Sequence, residues 1–276
     1  MNEPPAFRQS FAGPDAPPPV DLRRWQRMER GGGRLAATDS GLRMVTANTT
    51  MSRYANAQID DYQGRARRDF LWRPPLSLVV CARFSHPASR SAGDPGLRGT
   101  AGFGFWNDPF LMTGSRVPAP PRAIWFFYAS PPSDIALDCG TPGFGWKVAT
   151  IDALRPSAAM LMLTAPLAVP LMNIRRIYRT FWPAAQRALS ISEAEVPAEM
   201  TGWHTYAIEW GVSEARFQVD GKMLLDCDTP PRGPLGLVIW LDNQYLVATP
   251  WGRFRYGLLA TPGEQWLELE WMEICR

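Results

Sequence analysis

Apolar and polar residues alternate in short runs along most of the chain, the period-two pattern of strands with one face in a core. Residues 7–11 (FRQSF) and 41–46 (GLRMVT) alternate in this way, and Trp25 and a Gly31-Gly32-Gly33 turn lie between them. Leu76–Phe84 (LSLVVCARF) is apolar and β-branched enough for a central strand. Residues 101–106 (AGFGFW) and 123–129 (AIWFFYA) follow, each bounded by Pro or Gly. Later come 203–210 (WHTYAIEW), Ala215–Val219 (ARFQV), 222–225, 235–241 (LGLVIWL) and 266–274 (WLELEWMEI). Asp220-Gly221 between two alternating runs is a hairpin signal, because both turn positions need positive φ. Many short strands without regular intervening helices predict an all-β sandwich or barrel.

One segment breaks the pattern. Residues 153–192 hold five arginines (Arg155, Arg175, Arg176, Arg179 and Arg187) and no Asp, Glu or Lys. Residues 158–163 (AAMLML) are apolar all round and are followed by Pro166 and Pro170. Between 173 and 189, Ile174, Ile177, Tyr178, Phe181, Ala185 and Leu189 recur at three- and four-residue spacing, which predicts an amphipathic helix. Asn173 is placed to cap it, and Pro183 to kink or divide it. The expectation is one sandwich over 1–276 with a helical insertion at 153–192.

Composition changes this picture little. A chain of 276 residues with 27 prolines and 23 glycines, both spread along it, suits many strands joined by turns. The net charge of +3, with Lys147 and Lys222 as the only lysines, gives no reason to expect a nucleic-acid partner. Cys81, Cys139, Cys227 and Cys275 are far apart with no CxxC, so free thiols are expected, or two disulfides were the protein exported. The first 19 residues lack the apolar stretch of an export signal, and no uncharged apolar run would span a bilayer, which predicts a cytoplasmic protein. No phosphate-binding glycine loop, dinucleotide fingerprint, nucleophile elbow or histidine-rich cluster is present, so neither cofactor nor metal is expected.

Residues 202–210 (GWHTYAIEW) with Phe217-Gln218-Val219-Asp220-Gly221 are similar to the "FHTYAIEW…F.VDG" signature of family-16 glycoside hydrolases. The closing WLELEWMEI resembles that family's last strand, and Phe11-Ala12-Gly13, Trp25 and Gly41-Leu42 its first ones. The resemblance implies a concanavalin A-like jelly-roll sandwich. It also implies a catalytic strand with an E-x-D-x-x-E pattern, whose two working carboxylates stand about 5 Å apart. The corresponding strand here begins Arg122-Ala123-Ile124-Trp125-Phe126-Phe127-Tyr128, placing Arg122, Ile124 and Phe127 at the carboxylate positions. Hydrolysis by that family's retaining mechanism is therefore not expected.

What such a face offers instead is aromatic. Trp106, Arg122, Ile124, Trp125, Phe127, Tyr128 and Trp240 are candidate ligand contacts, with Asp242 and Asn243 at the end of their strand. Met160 and Phe181 of the insertion are candidates to cover the cleft. Asp138, Asp134, His204 and Asp108 are the candidate acids and bases, each with a turn or framework role as its alternative. The first functional expectation is a cleft for an apolar or amphiphilic small molecule, with acid/base chemistry such as cyclisation, isomerisation or hydration. A second is a non-hydrolytic module for a carbohydrate or glycolipid. A third is a scaffold or membrane-surface protein touching lipid through 153–192.

Overall fold

A computed structural model describes residues 7–12, 25–91, 93–109 and 117–276. The first sheet contains β3 (Arg34–Thr38), β4 (Gly41–Thr49), β17 (Thr261–Cys275), β6 (Leu76–Phe84), β11 (His204–Trp210), β12 (Ala215–Val219) and β13 (Lys222–Cys227), hydrogen-bonded in that order. Its eighth strand, β1 (Phe7–Ser10), pairs with the far half of β17. The second sheet runs β2 (Gln26–Arg30), β5 (Asn56–Asp60), β14 (Gly236–Asp242), β7 (Thr100–Trp106), β8 (Arg122–Ala129), β9 (Gly145–Asp152) and β10 (Ser192–Glu195). A separate hairpin joins β15 (Gln244–Ala248) to β16 (Phe254–Leu258). Every pairing between these strands is antiparallel, and the architecture is the expected two-sheet sandwich.

The core lies between the sheets. Leu78, Val80, Tyr206, Ile208 and Phe217 of the first face Phe103, Phe105, Ile124, Phe126 and Ile239 of the second, all buried. Ring contacts bridge the layers, with Phe126 5.1 Å from Tyr206 and Phe105 5.4 Å from Trp210. The Asp-Gly signal behaves as read: Asp220 and Gly221 have φ of 51° and 74° and close the hairpin between β12 and β13. All four cysteines are unpaired.

The insertion forms two helices, α1 (Pro156–Leu171) and α2 (Arg175–Leu189), between β9 and β10 at the edge of the second sheet. Two details differ from the sequence reading. Pro183 does not divide α2, which runs unbroken through it. Ile174, not Asn173, is the capping residue, and the Asn173 amide instead donates to the carbonyls of Pro170 and Trp251. Tyr178, Trp182 and Gln186, one helical turn apart, turn α2 toward the body. Trp182 Nε1 and Gln186 Nε2 donate to the Leu137 carbonyl, and Tyr178 meets Trp251 edge-on at 5.4 Å.

Candidate functional site

Strand alternation sorts the second sheet into two faces. Phe103, Phe105, Ile124, Phe126 and Tyr128 point to the core, so the opposite face carries Gly102, Gly104, Trp106, Trp125, Phe127, Val238, Trp240 and Asp242. Tyr62, Phe70, Val238 and Trp240 form a second apolar cluster against which Trp106, Trp125 and Phe127 pack, half-buried.

The rings make a continuous platform. Trp106 and Trp240 lie parallel, 3° between planes at 6.3 Å, and Trp125 and Phe127 stack at 5.3 Å and 19°. Trp125 also meets Trp106 at 5.8 Å and Trp240 at 5.6 Å. Glycines in β7 make room beneath them. A Cβ on Gly102 would stand 3.0 Å from the Trp240 ring and 2.2 Å from the Phe126 carbonyl oxygen, and one on Gly104 would fall 2.7 Å from the Trp125 Cβ. The GFGF run of β7 thus sends phenylalanines to the core and leaves a bare floor for two tryptophans.

A buried polar chain fixes Trp240. Its Nε1 donates to the Thr100 hydroxyl (2.9 Å), which donates to Asp242 Oδ1 (2.8 Å), while the Gln244 amide holds Oδ2 (2.8 Å). Burial pushes the Asp242 carboxyl up to about 6 despite these donors. Beside it, Gln58 Nε2 reaches Asp60 Oδ2 (2.8 Å) and the Tyr62 hydroxyl (3.2 Å), and burial raises Asp60 too. Asp242 therefore positions Trp240 rather than meeting solvent. Thr100→Val, which keeps the shape and removes the shared hydroxyl, should cost about 1–3 kcal/mol by urea denaturation. A change below a few tenths of that would show that the chain does not hold the ring.

Loops around this sheet are pinned by contacts with distant parts of the chain. After β8, Asp134 bridges to Val247 of β15, its N–H donating to the Leu246 carbonyl and its carbonyl accepting from Ala248. At the other border, Lys147 of β9 is buried with Glu193 of β10 at 2.5 Å, and its ammonium also donates to the carbonyls of Ile135 (3.2 Å) and Pro142 (2.9 Å). Lys147 thereby ties segment 135–142 down over the sheet edge.

Several sequence-chosen residues stand elsewhere. Ile124 and Tyr128 face the core, and the Tyr128 hydroxyl donates to the Leu97 carbonyl. Arg122 shares their side of β8 and is paired with buried Asp152 at 2.7 Å. The face of β8 that carries the platform shows Ala123, Trp125 and Phe127; of the three positions the resemblance assigns to carboxylates, Phe127 lies on this face and Arg122 and Ile124 on the other, and β8 has no acid on either. Asn243 is occupied by the carbonyls of Thr50, Arg53 and Leu259 and by the Ala55 N–H. His204 lies in the other sheet, its Nδ1 against Asp220 (2.6 Å) and its Nε2 against the Glu199 carbonyl (2.9 Å), a framework role. The Asp138 carboxylate accepts from Gln186 Nε2 and the Gly140 N–H, joining loop to helix. Asp108 is buried in the turn after β7 with φ 48°, its carbonyl accepting from Arg67. Met160 of α1 and Phe181 of α2 are 69% and 58% exposed rather than covering the platform, and α2 meets the loop at Leu137 through Trp182 and Gln186 instead. Trp106, Trp125, Phe127, Trp240 and Asp242 are brought together; Tyr62, Phe70, Gln58, Asp60, Lys147 and Glu193 were not foreseen.

Among solved structures the whole sandwich has counterparts. A β-glucanase of Bacillus licheniformis superimposes with a TM-score of 0.50 at 10% identity, with 100% of both chains covered. The fold is that of the glucanase jelly rolls. An endo-β-galactosidase from Clostridium perfringens that releases GlcNAcα1-4Gal gives 0.56 at 11% identity, covering 97% of this chain and 60% of that one. A pseudo β-1,3-glucanase of Mycobacterium tuberculosis gives 0.50 at 11% identity, covering 98% and 97%. No family model and no curated protein sequence matches. At such identities the glucanase-like likeness is one of fold, as the expected concanavalin A-like resemblance required.

Proposed function

We propose that the protein binds a carbohydrate without cleaving it, laying sugar rings on the platform of Trp106, Trp125 and Phe127 around Trp240. The observation that carries this reading is the outer face of β8, where half-exposed aromatic rings stand and no carboxylate does. Retaining hydrolysis needs a nucleophile and an acid/base about 5 Å apart, and β8 supplies neither. The apolar C–H faces of pyranose rings suit flat aromatic groups with offset, near-parallel neighbours. That a glucanase-like neighbour is itself described as a pseudo-glucanase supports a non-hydrolytic use of this fold.

The test is a titration with laminarin and mixed-linkage glucan oligosaccharides followed by calorimetry and tryptophan fluorescence. Saturable binding is expected, Trp125→Ala weakening it about ten-fold or more through the lost ring contact while the circular dichroism spectrum stays unchanged. No reducing ends should be released. Binding unaffected by Trp125→Ala, or robust release of reducing ends, would overturn the proposal.

A second reading rests on one specific observation. The polar groups beside the rings are already bonded within the protein, Gln58 to Asp60 and Tyr62, and Asp242 to Thr100 and Gln244. An amphiphilic small molecule, which asks for fewer hydrogen bonds than a sugar, would be equally content there. Native mass spectrometry of the purified protein separates the two by the mass and composition of any retained ligand.

A further inference from the structure

The helical pair carries a surface the sandwich does not use. Met160, Leu163, Leu167 and Leu171 recur along α1 at spacings of three and four, and Ile174 in the following turn continues the row; all are exposed, Leu163 and Leu167 at 79%. The inner side of α1 is taken up by its partner helix, with Ala158 buried and the Ser157 hydroxyl donating to the Ala188 carbonyl. An apolar face of this size on a water-exposed helix is costly and marks a contact surface.

The charges carried by the insertion itself all have one sign. Arg175, Arg176 and Arg179 open α2 and Arg187 lies two turns on, all exposed and none paired with a carboxylate among the described residues. Three of them crowd the N-terminal end of a helix, where the dipole already disfavours positive charge, so helix stability is not what they serve. Between residues 153 and 192 there is no Asp, Glu or Lys. A symmetric contact with a second copy through this face would set arginine against arginine with no acid in the segment to offset them. The hairpin touching the helices, through Trp251 on Tyr178 and the Trp251 carbonyl on Asn173, adds exposed Arg253, Phe254 and Arg255. No helix among the described residues is long and apolar enough to cross a membrane.

We propose that the helical pair docks flat on an anionic lipid surface, with the Leu163–Leu167–Leu171 row in the acyl boundary and Arg175, Arg176 and Arg179 against headgroup phosphates. An exposed apolar row in a segment whose only charged residues are arginines has the composition of an interfacial helix, in which buried apolar area and attraction to anionic lipid add. The inference is independent of what the aromatic platform binds.

The test is flotation of the full chain with vesicles of phosphatidylcholine alone and of equimolar phosphatidylcholine and phosphatidylglycerol. The protein should float with the mixed vesicles and largely stay behind with the neutral ones. The triple change Leu163→Asp, Leu167→Asp and Leu171→Asp should abolish flotation, and Arg175→Glu, Arg176→Glu and Arg179→Glu together should weaken it on the order of a hundred-fold. Both sets alter exposed side chains, and an unchanged circular dichroism spectrum shows the sandwich intact. Three results would overturn the proposal: no flotation with either vesicle, flotation unchanged by the leucine variant, or a native dimer in solution that the leucine variant converts to monomer.

Discussion

Lys147→Met should cost the protein about 3–5 kcal/mol at neutral pH, read as a lower midpoint of urea unfolding. The side chains of Lys147 and Glu193 are each 1% exposed, and the substitution leaves a buried carboxylate without its cation. The Glu193 carboxylate keeps the N–H donors of Leu137 and Asp138, which are not enough to replace an ammonium. Burial already pushes Glu193 above the usual carboxylate range in the parent, with Lys147 opposing, so the variant's Glu193 takes up a proton more readily still. The deficit should therefore shrink as the pH is lowered. Adding Glu193→Gln should recover much of the loss, because a neutral amide can still accept from both N–H groups. A single-variant cost under about 1 kcal/mol would mean that water reaches this pair.

Stability should also fall as the pH rises through the neutral range, by up to about 4 kcal/mol between roughly pH 4 and 7. The source is Asp61, whose carboxyl is pushed up to about 7 by burial, against the opposing hydrogen bonds from Trp72 Nε1 and the Leu237 N–H. A carboxyl with a folded pKa above its unfolded one binds its proton more tightly in the native state. Its contribution is complete below about pH 4 and is lost as the pH passes its folded value. Asp242, raised to about 6, adds a limb of the same sign ending lower. Glu268 acts in reverse: against the cost of its burial, donors from Thr38, Ser40, Arg83 and Arg43 hold it down to about 2. Its contribution is present above the ordinary glutamate range and disappears as the pH drops toward 2. Denaturation midpoints across pH should therefore peak between the two limbs. Asp61→Asn should flatten the neutral limb and leave the acid one. A neutral limb of unchanged steepness in that variant would assign the slope to another group.

Strands with one face in the core and one in water were legible in the sequence. So were apolar strands covered on both faces, such as Gly236–Asp242, but strands that take polar residues into the interior were not. Asn56–Asp60 carries Asn, Gln and Asp, yet all five residues are buried, with their amides and carboxylate bonded among themselves and with Tyr62 and Gln63. Gly145–Asp152 mixes Lys147, Thr150 and Asp152 into an otherwise apolar run, and each is buried with a partner. In the site, residue type was informative and phase was not. Residues 123–129 are aromatic or aliphatic on both sides of the strand, so no polar alternation says which of Ile124 and Trp125 looks outward. Pairing with β7 decides it, since Gly102 and Gly104 give the tryptophans their room. Lys147 could have been suspected from its rarity, as one of only two lysines in the chain.

The position of β17 governs when this molecule can form at all. It is central in its sheet, bonded to β4 and β1 along one side and β6 along the other, yet it is made from residues 261–275. Pairs such as Phe7 with Ile274 and Leu42 with Leu269 join points more than two hundred residues apart. Loops that long must close before any of these contacts rewards the chain, which makes for slow, high contact-order folding. While the ribosome is still synthesising β14, the first sheet has an open slot with Leu78, Val80, Leu42 and Met44 beside it and no strand to fill it. Until residue 275 has emerged, the nascent chain presents two unpaired strand edges to whatever else in the cell can add a strand.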